Sequence, residues 1–125
     1  MEIRERAAGP VTILEPVGRL VLSEGSSDSL LKDMICERIE QGRRHFILDL
    51  AHVSQIDTSG LTMLVAAHVA AVKRGAQLKL LHPRKRIHDL LSVTKLNTFF
   101  AVFESGAAAL GSFHQVRGVR LEPDL

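Results

Sequence analysis

The sequence contains no tryptophan and no tyrosine, and five phenylalanines are its only aromatic residues among 125. So few aromatic faces argue against recognition of single-stranded nucleic acid, which stacks bases on such side chains. A single cysteine, Cys36, rules out an internal disulfide and fits a reducing compartment. It stands beside Ile35 on an expected helix and reads as a small apolar filler, because nothing around it supplies the electropositive setting of a reactive thiolate. No G-x-x-x-x-G-K-[ST] or G-x-G-x-x-G loop occurs, so no nucleotide or other cofactor is expected on the chain. The six histidines include no H-x-x-x-H pair, and with one cysteine they leave no zinc set. The longest apolar stretch, residues 61–72, is about 12 residues long and is broken by Thr62 and His68. A membrane span needs about 20. The first ten residues, MEIRERAAGP, alternate in charge and lack the apolar centre of a secretory signal. A soluble, cytoplasmic protein is expected. Its net charge of +2, from 16 basic and 14 acidic residues, is too small a field to suggest a nucleic-acid partner.

What is present is the balance of an ordinary globular chain, with 46% apolar and 24% charged residues. Its length suits a single domain that buries its own core. We expect this domain to cover residues 1–113, with a loose tail over residues 114–125 that has little to bury.

The chain is organised around residues 45–72. Phe46-Ile47-Leu48-Asp49-Leu50 has the length and composition of a strand buried on both faces. A polar link over residues 51–55 follows, and then Ile56-Asp57-Thr58-Ser59-Gly60 leads into Leu61, Leu64, Val65, Val69 and Val72, spaced along one face of a helix. Asp57 or Thr58 is the expected N-cap, since a short-chain oxygen there accepts from the free N–H groups of the first turn. Ser59 then falls in that turn, near the positive end of the helix dipole and at the surface, which suits a hydroxyl that is modified.

On either side of this unit the pattern is equally readable. Residues 2–22 are extended, with a turn at Gly9-Pro10 and a break at Pro16-Gly18, and supply antiparallel strands at a sheet edge. Ser26, Ser27 and Asp28 offer caps for a helix over residues 26–42 that turns Leu30, Leu31, Met34, Ile35 and Ile39 inward. After the central helix, over residues 59–74, come a strand over 77–81, a helix over 84–92, a strand over 99–103 and an Ala-rich helix over 104–113. Alternation of this kind implies an α/β fold with a largely parallel sheet of four to five strands, helices mainly on one side, and the antiparallel N-terminal strands at an edge. Leu48, Leu50, Leu61, Leu64, Val65, Leu80 and Leu90 are the expected core.

Catalytic signals are weak. Ser59 lacks the flanking glycines of a G-x-S-x-G nucleophile elbow, having Asp57 two residues before it and Leu61 two after. Arg84-Lys85-Arg86 is the one dense basic cluster and reads as a solvated first helical turn or a surface for an acidic partner. Asp49 lies within an apolar strand, where it must either accept hydrogen bonds from the following loop or help to shape the region of Ser59. His68 is expected to pack or snorkel on its helix. The reading is of a binding module, not an enzyme.

The segment F-I-L-D-L-x-x-V-x-x-I-D-T-S-G-L, residues 46–61, resembles the signature of the STAS domain, in particular of bacterial anti-sigma factor antagonists of the SpoIIAA and RsbV type. The likeness continues through Gly18-Arg19-Leu20, residues 75–81 and residues 90–103. It implies a STAS-like mixed sheet and a switch by partner exchange. The serine before the motif glycine, here Ser59, would be phosphorylated by an anti-sigma factor that is itself an ATP-dependent serine kinase. Unphosphorylated, the domain would hold that kinase and free a sigma factor. A metal-dependent serine phosphatase would reset it. Asp57, Thr58, Ser59, Gly60 and Leu61 would form the partner-binding run. Thr58 stands where serine is commoner and adds a second candidate hydroxyl. The resemblance also admits a scaffold or assembly subunit, in signalling or lipid transport, that does not switch. A monomer or weak dimer is expected.

Overall fold

The computed structural model describes residues 2–20 and 30–121. Strand β1 (Glu2–Ala8) turns at Gly9, whose φ of 62° a side chain rarely adopts, into β2 (Val11–Leu20). Helix α1 (Leu30–Glu40), β3 (His45–Asp49), β4 (Val53–Ile56), α2 (Thr58–Lys73), β5 (Gln77–Leu81) and α3 (Lys85–Val93) follow. A 3-10 turn (Leu96–Thr98), the short β6 (Val102–Phe103) and α4 (Gly106–Leu121) complete the described residues. The sheet has six strands in the order β1-β2-β3-β5-β6, with β4 pairing further along β2. Only β1 and β2 are antiparallel; all other pairs are parallel. The result is the expected α/β mixed sheet with its antiparallel edge at the N-terminus.

Burial explains the order. Phe46, Ile47 and Leu48 of β3 have no exposed surface, because β2 and β5 flank the strand and helices cover both faces. One face carries Leu14, Leu20, Phe46, Leu48, Leu78 and Leu80 against α1, α2 and α3. The opposite face carries Val11, Ile13, Ile47 and Leu81 against Ala109 and Phe113 of α4. Three helices therefore lie on one side and one on the other. Arg38 anchors α1 to the sheet edge by donating from Nε and Nη2 to the two Glu5 carboxylate oxygens, each at 2.6 Å. That fork holds the Glu5 carboxyl below its usual range.

Several boundaries differ from the sequence reading. Pro16-Gly18 does not break the chain. Pro16 lies between the part of β2 that pairs with β3 and the part that pairs with β4, so its missing N–H costs no ladder bond on that side. Residues 53–55 of the expected polar link join Ile56 in a strand: Val53 is fully buried, while Ser54 and Gln55 are exposed. This strand raises the count to six. The last strand shrinks to two residues because residues 96–98 wind into a 3-10 turn, and the helical backbone of α4 runs on to Leu121, past Phe113. The capping residues Ser26, Ser27 and Asp28, with Val21 and Leu22, lie outside the described residues. Of the expected core, Leu48, Leu50, Leu61, Leu64 and Leu80 are buried, whereas Val65 and Leu90 are partly buried against it. Val69 and Val72 are instead 37% and 56% exposed, and α2 buries Ala67, Ala70 and Ala71; the small side chains of Ala67 and Ala71 let the helix lie close to the sheet.

His68 packs against both Phe99 and Phe100, at ring centroid distances of 4.6 and 5.0 Å, and the two phenylalanine rings touch each other at 5.2 Å. Burial lowers its pKa, partly offset by a backbone hydrogen bond at Leu78. The unfolded imidazole, with a pKa of about 6.5, therefore takes up a proton at higher pH than the folded one. The resulting stabilisation is present above about pH 6.5 and declines as the pH falls through the folded value. Denaturant midpoints measured from pH 7.5 to 5 are expected to fall more steeply for the wild type than for His68→Leu.

Candidate functional site

The first turn of α2 sits where β2 and β4 end side by side. Leu20 pairs with Ile56, and the Asp57 N–H reaches the Leu20 carbonyl at 3.4 Å. Asp57 has the extended backbone of an N-cap, and its Oδ1 accepts from the Gly60 N–H at 3.0 Å while its carbonyl accepts from the Leu61 N–H at 3.0 Å. Of the two candidate caps, Asp57 is the one used. Thr58 is the first helical residue, and its carbonyl accepts from the Thr62 hydroxyl at 3.0 Å.

Gly60 is fixed by crowding. A Cβ at this position would fall within clash distance of the Leu20 carbonyl oxygen and 2.6 Å from Ile56 Cγ1. The helix thus enters against bare strand backbone, and residue 60 has no room for a side chain. Leu61, placed in the partner-binding run by its sequence position, is 8% exposed and belongs to the main core. Within the run, Gly60 and Leu61 are buried and hold the turn in place, while Asp57 and Thr58 are exposed and Ser59 is half-buried. Thr58 is therefore the more open of the two hydroxyl residues, contrary to the expectation that Ser59 points freely outward.

The other singled-out residues are placed as follows. The buried Asp49 accepts from the Ala51 N–H at 3.0 Å and lies 3.7 Å from Arg6, so the loop and the edge strand satisfy it rather than the region of Ser59. Cys36 is a free, half-buried thiol on α1. The basic cluster is divided: Arg84 donates to the Ala51 carbonyl at 3.1 Å, Lys85 pairs with Asp89 at 3.6 Å, and Arg86 lines a cleft of about 250 Å³ with Ser54, Gln55, Ile56, Ile87 and Leu90. That cleft, lined by the strand that leads directly into α2, was not anticipated, because β4 itself reads as loop. Among the described residues, no three His, Cys, Asp or Glu side chains cluster as metal ligands, and no helix is long and apolar enough to cross a membrane.

One family model and several solved structures match the chain. The STAS domain family model matches residues 4–109. The Thermotoga maritima protein TM1081, described as a candidate anti-sigma factor antagonist, superposes with a TM-score of 0.77 at 21% identity, over 88% of this chain and 92% of that one. Unphosphorylated SpoIIAA, an anti-sigma factor antagonist, gives 0.72 at 16% identity, over 94% and 97%. It is a Bacillus cell fate determinant, also solved in its phosphorylated form. A sulfate transporter family protein from Wolinella succinogenes gives 0.70 at 25% identity, over 82% and 84%. No curated protein sequence matches the chain.

Three substitutions probe the crowding at Gly60 and the cap at Asp57. Gly60→Ala is expected to destabilise the fold by about 1–3 kcal/mol through overpacking against the end of β2. Asp57→Ala should cost about 1 kcal/mol through loss of the cap, and Thr58→Ala clearly less. Urea denaturation of the three variants measures both effects.

Proposed function

The chain belongs to the STAS domain family, and we propose that it is an anti-sigma factor antagonist switched by phosphorylation of Ser59. In this reading it holds an anti-sigma factor serine kinase while unphosphorylated, which frees a sigma factor, and it releases the kinase once Ser59 carries a phosphate. ATP is bound by the kinase, and a metal-dependent serine phosphatase resets the cycle. The module works in the cytoplasm as a monomer or weak dimer and performs no catalytic step of its own.

The observation that carries the reading is the D-T-S-G turn itself, a hydroxyl-bearing first turn of α2 held at the surface by Asp57 and by the side-chain-free Gly60. Phosphorylation adds a charge of about −1.5 to −2 and three strongly hydrated oxygens to a surface that must lose water to bind. The helix dipole favours an anion at this end, so the isolated domain tolerates the group. Asp57 has already taken the Gly60 N–H, which reduces what the turn offers a phosphate, and its own carboxylate repels one. The fold survives while the interface fails. A loss of about 3 kcal/mol makes a complex roughly a hundredfold weaker.

The likeness to the Wolinella succinogenes sulfate transporter family protein favours a second reading, a STAS scaffold or assembly subunit that does not switch. Calorimetric titration of the kinase partner separates the two. Under the switch reading Ser59→Ala retains binding with ATP present, while Ser59→Asp binds about a hundredfold more weakly yet melts near the wild-type temperature. Equal affinity for all forms favours the scaffold. Phosphopeptide mapping after incubation with kinase and ATP is expected to find phosphate on Ser59. Phosphate on the more exposed Thr58 would move the switch by one residue.

A further inference from the structure

The second half of α2 carries a surface that neither the core nor the first turn uses. A groove of about 390 Å³ runs between α1 and α2, lined by Lys32, Ala66, Val69, Ala70, Lys73 and Arg74. Its floor is apolar, and Val69 and the neighbouring Val72 are 37% and 56% exposed. Its rim is entirely cationic, and among the described residues Lys32, Lys73 and Arg74 have no ion pair or side-chain hydrogen bond. The nearby α1 carboxylates do not neutralise it: Glu37 is bonded to Arg38 at 3.0 Å, and Asp33 and Glu40 are exposed and outside the lining.

We propose that this groove docks an acidic amphipathic helix of a partner protein. The apolar edge of the incoming helix would rest on Ala66, Val69 and Ala70, and its flanking carboxylates would meet Lys32, Lys73 and Arg74. Shape and charge select this occupant together. A trough between two helices accepts the apolar stripe of a third, and an all-positive rim steers an acidic one and rejects a basic one. The groove residues on α2 lie roughly 10–22 Å beyond Ser59 along the helix axis, at about 1.5 Å per residue. Occupancy is therefore independent of the phosphorylation state, and the module carries a constitutive attachment point in addition to any switched one.

The probe is a fluorescently labelled synthetic helix with Leu and Ala along one face and Glu on both flanks, compared with a counterpart in which every Glu is Lys. Titrated into the full ¹⁵N-labelled chain, the acidic peptide is expected to bind and to shift the amides of Ala66, Val69, Ala70 and Arg74. The Lys73→Glu/Arg74→Glu variant should bind it about tenfold more weakly at an unchanged melting temperature, and the basic peptide should not bind. If charge reversal disturbs the fold, Lys73→Gln/Arg74→Gln serves in its place, with a smaller loss expected. Failure of the acidic peptide to bind, shifts spread outside the groove, or affinity unchanged in both double variants would overturn the proposal. So would sedimentation of the chain with mixed phosphatidylglycerol–phosphatidylcholine vesicles through these same cations without peptide binding, which would identify a membrane surface instead.

Discussion

The close approach of the first turn of α2 to the end of β2 is the constraint on which the candidate site depends. With hydrogen at residue 60, the helix backbone can lie against the Leu20 carbonyl and Ile56; with any side chain it cannot. The helix start is thereby fixed relative to two strand ends at once, and Asp57 completes it by capping Gly60 from the preceding extended residue. Thr58 and Ser59 occupy the outer side of a turn whose inner side is backbone. Their hydroxyls are held on a rigid element, where a modification changes the surface without entering the core.

The rest of α2 follows from the same closeness. A helix lying near a sheet presents small side chains to it, and Ala67 and Ala71 fill that role with no exposed surface. The bulkier Val69 and Val72 are turned outward, next to the cations at the C-terminal end. One helix therefore carries two dissimilar surfaces, a polar hydroxyl-bearing turn at its positive end and an apolar, cation-rimmed groove toward its negative end, where Lys73 also complements the dipole. His68 lies between them on the α3 side, locked by Phe99 and Phe100.

Features encoded over a few neighbouring residues were the legible ones. Phe46 to Leu50 reads as a doubly buried strand because its run is short, branched and apolar, and the D-T-S-G turn reads as a helix start because capping is local. What was not legible depends on partners distant in sequence. Ser54 and Gln55 conceal β4, since only its pairing with residues 18–20 makes them a strand. The valines of α2 outweigh its alanines in hydropathy, so periodicity selected the wrong edge of the buried face, and only the closeness of the sheet favours the alanines. The placement of α4 on the opposite face is invisible in its own Ala-rich sequence and follows from Ile13, Ile47 and Leu81 needing cover. At the site, the helix start at Asp57 and Thr58 was legible from the motif. The relative exposure of Thr58 and Ser59 was not, because it depends on how the turn meets β2.

The proposed switch requires that one phosphate in this turn ends partner binding while leaving the fold intact. The most direct test is native mass spectrometry of an equal mixture of phosphorylated and unphosphorylated chain competing for a limiting amount of the anti-sigma factor kinase, with both forms first verified as folded. The complex is expected to contain the unphosphorylated chain almost exclusively. A complex holding the two forms in the proportions of the mixture would contradict it.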